Sequence, residues 1–494
     1  MNKISTRISL LSVLFLAFLS TDIYSQTREV RRFTLQDVIT RAQEQSPAAK
    51  QAETRKEVQF QQNRLFLSDY NPQFRLSGSI PSFNRSFTQV TQPDGTIQFQ
   101  PVRQTTSTGR LFLEQPLAVT GGSVFVNSET IFFNDIDRNT QLWSGTLVNI
   151  QLNQPLFAYN RLKWARKIEP LRYEESRRSY VEDMESVSST AVDRFFELLQ
   201  AQVRLEIANF NLANTDTILK IEKNRYNIGT TTEDKVLQVE LSYLNEQQNV
   251  AQAELDFESA SLRLRSFIGL NEDVEIDLIL PDEIPQLVVD YMTALNYAKE
   301  NRADYLAFER QRLEAESEVA EAKGSRFQVN LNASYGLNNR AGQFTDIYVD
   351  PNSQQRANIS FNVPILDWGR NKSRMAIAAA NMQLTEFTIA QDLINFEQEI
   401  RTQVTQIDML SKQIELAKKT DEVADKRYTV SQGRYLTGST TILELNQALS
   451  DKDSKRLQYI TSLRDYWRAY YDLRRLTLYD FANNRLLYNP ALNN

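Results

Sequence analysis

The sequence predicts a mainly α-helical, internally duplicated chain in which long antiparallel helical hairpins accompany a smaller set of membrane-type β-strands. Three observations carry that prediction. The phrase Arg225-Tyr226-Asn227-Ile228-Gly229, followed by Thr230-Thr231-Thr232, returns as Arg434-Tyr435-Leu436-Thr437-Gly438, followed by Ser439-Thr440-Thr441. The spacing upstream repeats as well, since Pro155 lies 74 residues before Gly229 and Pro364 lies 74 residues before Gly438. Finally, 14 glycines and 13 prolines in 494 residues leave long uninterrupted runs, as long helices require. A repeat of this kind means two copies of one structural unit.

Each repeated phrase lies between two helical runs and reads as the bend of a hairpin. Glycine suits the left-handed position past a helix end, and Ser or Thr suits the cap of the next helix. The surroundings of the two prolines match too: Leu152-Asn153-Gln154-Pro155-Leu156-Phe157 against Phe361-Asn362-Val363-Pro364-Ile365-Leu366.

In chain order, the N-terminus reads as a signal peptide over residues 1–25. Lys3 and Arg7 are its basic part, residues 8–19 its apolar core, and the cut falls between Ser25 and Gln26. No later apolar run is long enough for a membrane helix, so a spanning segment of the remaining chain would have to be a β-barrel. The first repeat covers residues 26–270. Thr34 caps a helix reaching about Leu67, with Pro47 as a break near its start. Phe74, Leu76 and Ile80 then alternate with Gln73, Arg75, Ser77 and Ser79, a strand with one apolar face. Residues 81–110 hold Pro81, Pro93-Asp94-Gly95, Pro101 and Gly109 and read as an exposed loop. Residues 111–133 could add two strands, and Val148, Ile150 and Leu152 mark another, so the strands fall within about 73–153. The helical hairpin follows at 160–268, its first arm about 100 Å long.

Residues 271–290 form a connector with a possible short strand at 274–280. The second repeat, 291–489, has a helix, strands within about 327–363 and a hairpin at 371–488, and residues 490–494 are a tail. Here Val329, Leu331, Ala333, Tyr335 and Leu337 alternate with Asn330, Asn332, Ser334, Gly336 and Asn338. Apolar residues against small polar ones fit a strand between lipid and a watery lumen.

Composition excludes much chemistry. With no His and no Cys there is no imidazole base, thiol nucleophile, disulfide or His/Cys metal site, and no cofactor motif is found. A net charge of −6 gives no footprint for nucleic acid. An enzyme is not expected.

Two strands from each half cannot close a barrel, because about eight are needed. Strand arithmetic therefore calls for several copies, and three copies of four strands give twelve. The arithmetic alone also allows a dimer.

On the repeated Tyr-x-x-Gly bend, the proline steps at Pro155 and Pro364, and the paired helix-then-strand leads, the chain resembles the TolC-like outer-membrane efflux proteins. The resemblance implies a homotrimer with a shared 12-stranded β-barrel in outer-membrane lipid and an α-helical barrel in the periplasm. It implies a passive exit duct for efflux or type I secretion. An inner-membrane pump of RND or ABC type would drive it through a periplasmic adaptor, a membrane fusion protein, docked at the helical tips. The first repeat departs from the pattern by 47 extra residues between its strands. Those residues form either a long loop or plug, or a further hairpin that would raise the trimer to 18 strands.

The resemblance also assigns residues. Glu444, six residues past the bend glycine, falls at an acidic position of the constriction, and Gln447 at the next. Three Glu444 carboxylates in a ring would raise one another's pKa and attract cations. A latch arginine of the family falls on Thr440, and the acidic position of the first hairpin on Lys235. Tyr435 matches a latch tyrosine. Gly229, Thr230 and Thr231, with Gly438, Ser439 and Thr440, are the expected adaptor-docking tips. Trp143, Tyr335, Phe361 and Trp368 are expected at the membrane interface. The competing reading is a secreted or periplasmic coiled-coil scaffold without a channel.

Overall fold

The computed structural model describes residues 30–270, 274–281 and 283–489; the expected signal peptide and tail lie outside them. The duplication is visible in the elements. Strand β1 (Val30–Phe33) precedes helices α1 (Leu35–Gln45, 11 residues) and α2 (Pro47–Ser68, 22 residues). Strands β2 (Gln73–Thr91), β3 (Ile97–Leu117), β4 (Gly122–Asp135) and β5 (Thr140–Leu156) follow, then helices α3 (Arg161–Asn227, 67 residues) and α4 (Glu233–Phe267, 35 residues). After β6 (Glu275–Leu278), the second repeat opens with α5 (Tyr291–Asn301, 11 residues) and α6 (Ala303–Gly324, 22 residues). It continues with β7 (Gln328–Ala341), a 3-10 turn (Thr345–Tyr348) and β8 (Asn352–Asn362), and closes with α7 (Arg370–Leu436, 67 residues) and α8 (Ile442–Thr477, 36 residues). Paired helices thus agree in length to within one residue. Two short strands, β9 (Tyr479–Asp480) and β10 (Arg485–Leu486), end the described chain.

Helix ends follow their side chains. Thr34 caps α1 by a capping box: its hydroxyl accepts from the Asp37 N–H at 3.3 Å, and the Asp37 carboxylate accepts from the Thr34 N–H at 2.9 Å. Such a cap contributes about 1 kcal/mol. Pro47 stands at the first position of α2, where its missing N–H costs nothing.

The chain divides into two compact units. Among the described residues, one comprises 30–47, those within 187–285, and 413–468. In it β1 pairs in parallel with β6, and Leu35, Val38 and Ile39 of α1, Phe195 and Phe196 of α3, and Leu264 of α4 are buried. Gln202 of α3 fastens β6 by donating to Asp277 at 2.9 Å and accepting from the Leu278 N–H at 3.0 Å.

The other unit comprises residues 48–186, 286–412 and 469–489. It holds a six-stranded antiparallel sheet in the order β2-β3-β4-β5-β7-β8. Ala294, Leu295 and Ala298 of α5 pack with Phe396 and Ile400 of α7 and Leu476 of α8. Beside them Arg474, nearly buried, reaches Glu185 at 2.9 Å and Asp480 at 3.3 Å, and Tyr470 donates to Asp480 at 2.7 Å.

One expectation is corrected. Residues 81–110 are not one loop: 81–91 and 97–110 belong to β2 and β3, which pair continuously apart from one irregularity between Ser79 and Ser82, and only residues 92–96 form a turn. Pro93 lies in that turn, and the other two prolines that argued for a loop sit where strands tolerate them. Pro81 lies in that irregularity. Pro101 lies beyond Gln104, the last β3 residue that β4 pairs, so there β3 has a neighbour on one side only. The irregularity shifts the register by one residue, so Phe83 and Phe87 continue the apolar face of Phe74, Leu76 and Ile80. Residues 111–133 likewise extend β3 and β4 within the same sheet.

Candidate functional site

At the two bends, sequence and geometry repeat one another. Gly229 and Gly438 have φ of 72° and 73°, the left-handed conformation that favours glycine. Thr230 donates its N–H to the Arg225 carbonyl and Ser439 to the Arg434 carbonyl, both at 2.8 Å. Gly229 and Gly438 donate to Tyr226 and Tyr435 at 2.9 and 3.0 Å. Both ends are Schellman caps, as the Tyr-x-x-Gly phrase predicts.

Between the bends lies a cavity of about 550 Å³ lined by Glu222, Arg225, Lys235 and Tyr435 with residues 230–231 and 438–442. Tyr435 is buried beside Ile218, Leu219, Val239 and Leu445, and its hydroxyl donates to the Glu222 carboxylate at 3.0 Å. Arg225 donates to the same carboxylate oxygen at 2.7 Å, and its guanidinium lies 5.8 Å from the centre of the Tyr435 ring. Burial alone would raise the Glu222 carboxyl, but hydrogen bonds from Arg225, Tyr435 and Thr231 hold it below the usual carboxylate range. Burial, then the bond to Glu222, pushes the Tyr435 hydroxyl up to about 12. The result is an ionised acid held by a neutral phenol and a cation.

The expected tip residues Thr230, Thr231, Gly438, Ser439 and Thr440 line this cavity, and Gly229 stands beside it in the first bend. Glu444 does not belong to the lining. It lies in the first turn of α8, exposed, accepting from the Thr440 hydroxyl. Gln447, also exposed, donates to Asp451 at 2.9 Å. Thr440 thus pairs with Glu444 and Lys235 faces the cavity. Glu222 escaped the sequence reading; its signal was an acid three residues before Arg225 on the same helix.

The sheet has two chemically distinct faces. Asn127, Asn149, Gln151, Asn332, Ser334 and Asn358 line a polar face, where Asn149 donates to Asn127 at 3.0 Å and Arg110 to Glu129 at 3.1 Å. Ile150, Leu152, Ala333, Tyr335 and Ala357 share the opposite face. Trp143 meets Phe132 at 4.6 Å with the rings tilted by 40°, and Phe344 at 5.1 Å, while Phe344 meets Tyr348 at 5.5 Å. Phe361 and Trp368, at the other end of β8 and just past it, are exposed. Tyr335 lies mid-strand, in register with Ile150.

The outer membrane efflux protein family model matches residues 134–270 and 294–477, well over half of the chain. The chain belongs to the outer membrane efflux protein family. Solved structures with the same fold include the CmeC outer membrane channel of Campylobacter jejuni, with a TM-score of 0.66 and 14% identity over 93% of this chain and 88% of that one. A membrane protein of Pseudomonas aeruginosa has a TM-score of 0.64 and 13% identity over 91% of both chains. The outer membrane protein VceC of Vibrio cholerae has 0.63 and 15% identity over 90% of this chain and 95% of that one. The comparison with curated proteins returns no match.

As a member of this family the chain is an outer membrane efflux protein. Among the described residues no helix is long and apolar enough to cross a membrane.

Proposed function

We propose that three copies of this efflux protein form a passive outer-membrane duct, with the helical hairpins in the periplasm. An inner-membrane pump of RND or ABC type would supply the energy through a periplasmic adaptor. The observation that carries the assembly is the sheet: six strands in an open order, one face lined by amides and the other by aliphatic side chains. Such a sheet is satisfied when it curls with copies of itself between lipid and water. A secreted coiled-coil scaffold leaves that apolar face without an occupant.

The helices support the same reading. Leu416, Val423 and Val430 of α7 are exposed at seven-residue intervals, and Leu237, Leu241 and Leu244 of α4 are exposed at alternating four- and three-residue intervals. These are coiled-coil seams awaiting a partner helix. At the bends, Ile228 and Leu443 are 74% and 71% exposed, and a Cβ added to Gly229 or Gly438 would meet nothing within 4 Å. Open apolar tips of that kind suit docking of the adaptor at Gly229, Thr230, Thr231, Gly438, Ser439 and Thr440. Tyr435 would hold the second hairpin against the first, while Glu444 and Gln447 would ring the constriction.

Mass measurement of the purified protein tests the assembly. Extraction from membranes only with detergent, at the mass of three chains, is expected. A folded monomer released without detergent would contradict it.

A further inference from the structure

Among the described residues the sheet has two free edges, β2 and β8. β4, the edge that a four-strand contribution would need, is occupied: β3 pairs with it from Gln104↔Asp135 to Leu117↔Gly122. We infer that each copy brings all six strands to the barrel, that β8 of one copy pairs with β2 of the next, and that the closed barrel has eighteen strands. This deepens the duct proposal and rests on its three copies.

The register supports the seam. A walk straight across the sheet from Gln73, the first residue of β2, passes Glu114, Phe125, Gln151 and Ser334 and arrives at Arg356. Arg356 is six residues before the end of β8 at Asn362. If Asn362 meets Gln73 of the next copy, each copy therefore contributes a stagger of six residues over six strands. At about 3.3 Å per residue and 4.8 Å between strands, that stagger tilts the strands by about 35°. Membrane barrels have tilts of about 35–45°. The same register sets Phe361 beside Phe74 and Ile359 beside Leu76 on the apolar side, and Asn358 beside Ser77 on the polar side. Every pair matches in face, whereas a shift by one residue would mismatch every one.

Chemistry at the edges agrees. β2 and β8 are exposed along nearly their whole length, with Phe74 at 69%, Leu76 at 76% and Phe361 at 76%. Long unpaired edges carrying apolar side chains are templates for pairing. Eighteen strands in place of twelve would make the barrel roughly half again as wide.

The chain contains no cysteine, so introduced pairs report the seam directly. The full-length double variant Asn358→Cys/Ser77→Cys is to be oxidised in isolated outer membranes and run on a non-reducing gel. Opposed residues of an antiparallel pair lie within disulfide reach. Covalent dimers and trimers are expected, absent from either single variant. The matched variant Asn358→Cys/Asn127→Cys tests closure through β4, and its cross-linking in place of the first pair would overturn eighteen strands. Detergent mass of the unoxidised variants separates the two levels. A trimer in which neither pair links overturns the seam alone, and absence of a trimer overturns the assembly reading and this inference with it.

Discussion

The Tyr435 hydroxyl donates to the Glu222 carboxylate at 3.0 Å, joining the last turn of α7 to the last turns of α3 across 213 residues of sequence. The bond ties one bend to the other. Tyr435→Phe leaves a buried carboxylate one donor short, a cost of about 1–3 kcal/mol, and hydrogen exchange at the Thr230 and Ser439 amides should quicken roughly tenfold or more. Unchanged exchange would show that the pair does not hold the bends.

The same pair sets a pH dependence. Because the folded Glu222 value lies below the usual 4.5, its contribution is present above pH 4.5 and is lost as pH falls through the folded value. Bend amides should therefore stay protected from pH 7 to about 5 and lose protection on further acidification. In Glu222→Gln that acid-induced change should disappear. Persistence of the same acid transition in the variant would assign it to other carboxylates.

Glu444 offers a test of the constriction. In a planar bilayer, Glu444→Ala should lose cation preference or gain conductance, because a ring of carboxylates would be removed. Thr440→Val, which keeps the carboxylate but removes its hydroxyl partner, should retain the preference. Equal selectivity in Glu444→Ala and the parent would place the constriction elsewhere.

Glu182 is an acid that destabilises when ionised. Burial raises its carboxyl to about 7, against hydrogen bonding from the Ala303 N–H at 2.8 Å. With the folded value above the unfolded one, its favourable contribution is complete below pH 4.5 and lost as pH rises through 7. Glu182→Gln should raise stability at pH 8 by about 1–3 kcal/mol and change little at pH 4. Denaturant unfolding at the two pH values checks this, and equal effects at both would contradict it.

Arg474 has the opposite role. It neutralises both Glu185 and Asp480, so Arg474→Met should destabilise by about 3–5 kcal/mol by leaving buried carboxylates uncompensated. Thermal unfolding in detergent measures it. A shift no larger than that of an exposed arginine such as Arg32 would contradict it.

The duplication and the bends were legible because they rest on local rules. Left-handed glycines, cap residues and glycine-free runs act within a few residues, and the paired helix lengths follow. The strands of the second repeat were legible from Asn alternation at residues 329–338. What stayed hidden depended on neighbours distant in sequence. Pro81 and Pro101 read as loop residues because their tolerance comes from the irregularity at residues 79–82 and from the end of β4, neither visible locally. Glu222 was missed because its partner Tyr435 lies in the other repeat, and nothing in its own helix marks it as buried.

Single-channel conductance of the purified protein in a planar bilayer tests the central claim most directly. An outer-membrane duct with an amide-lined barrel predicts stable unitary pores. Well-folded protein that inserts no pores and remains soluble without detergent would contradict it.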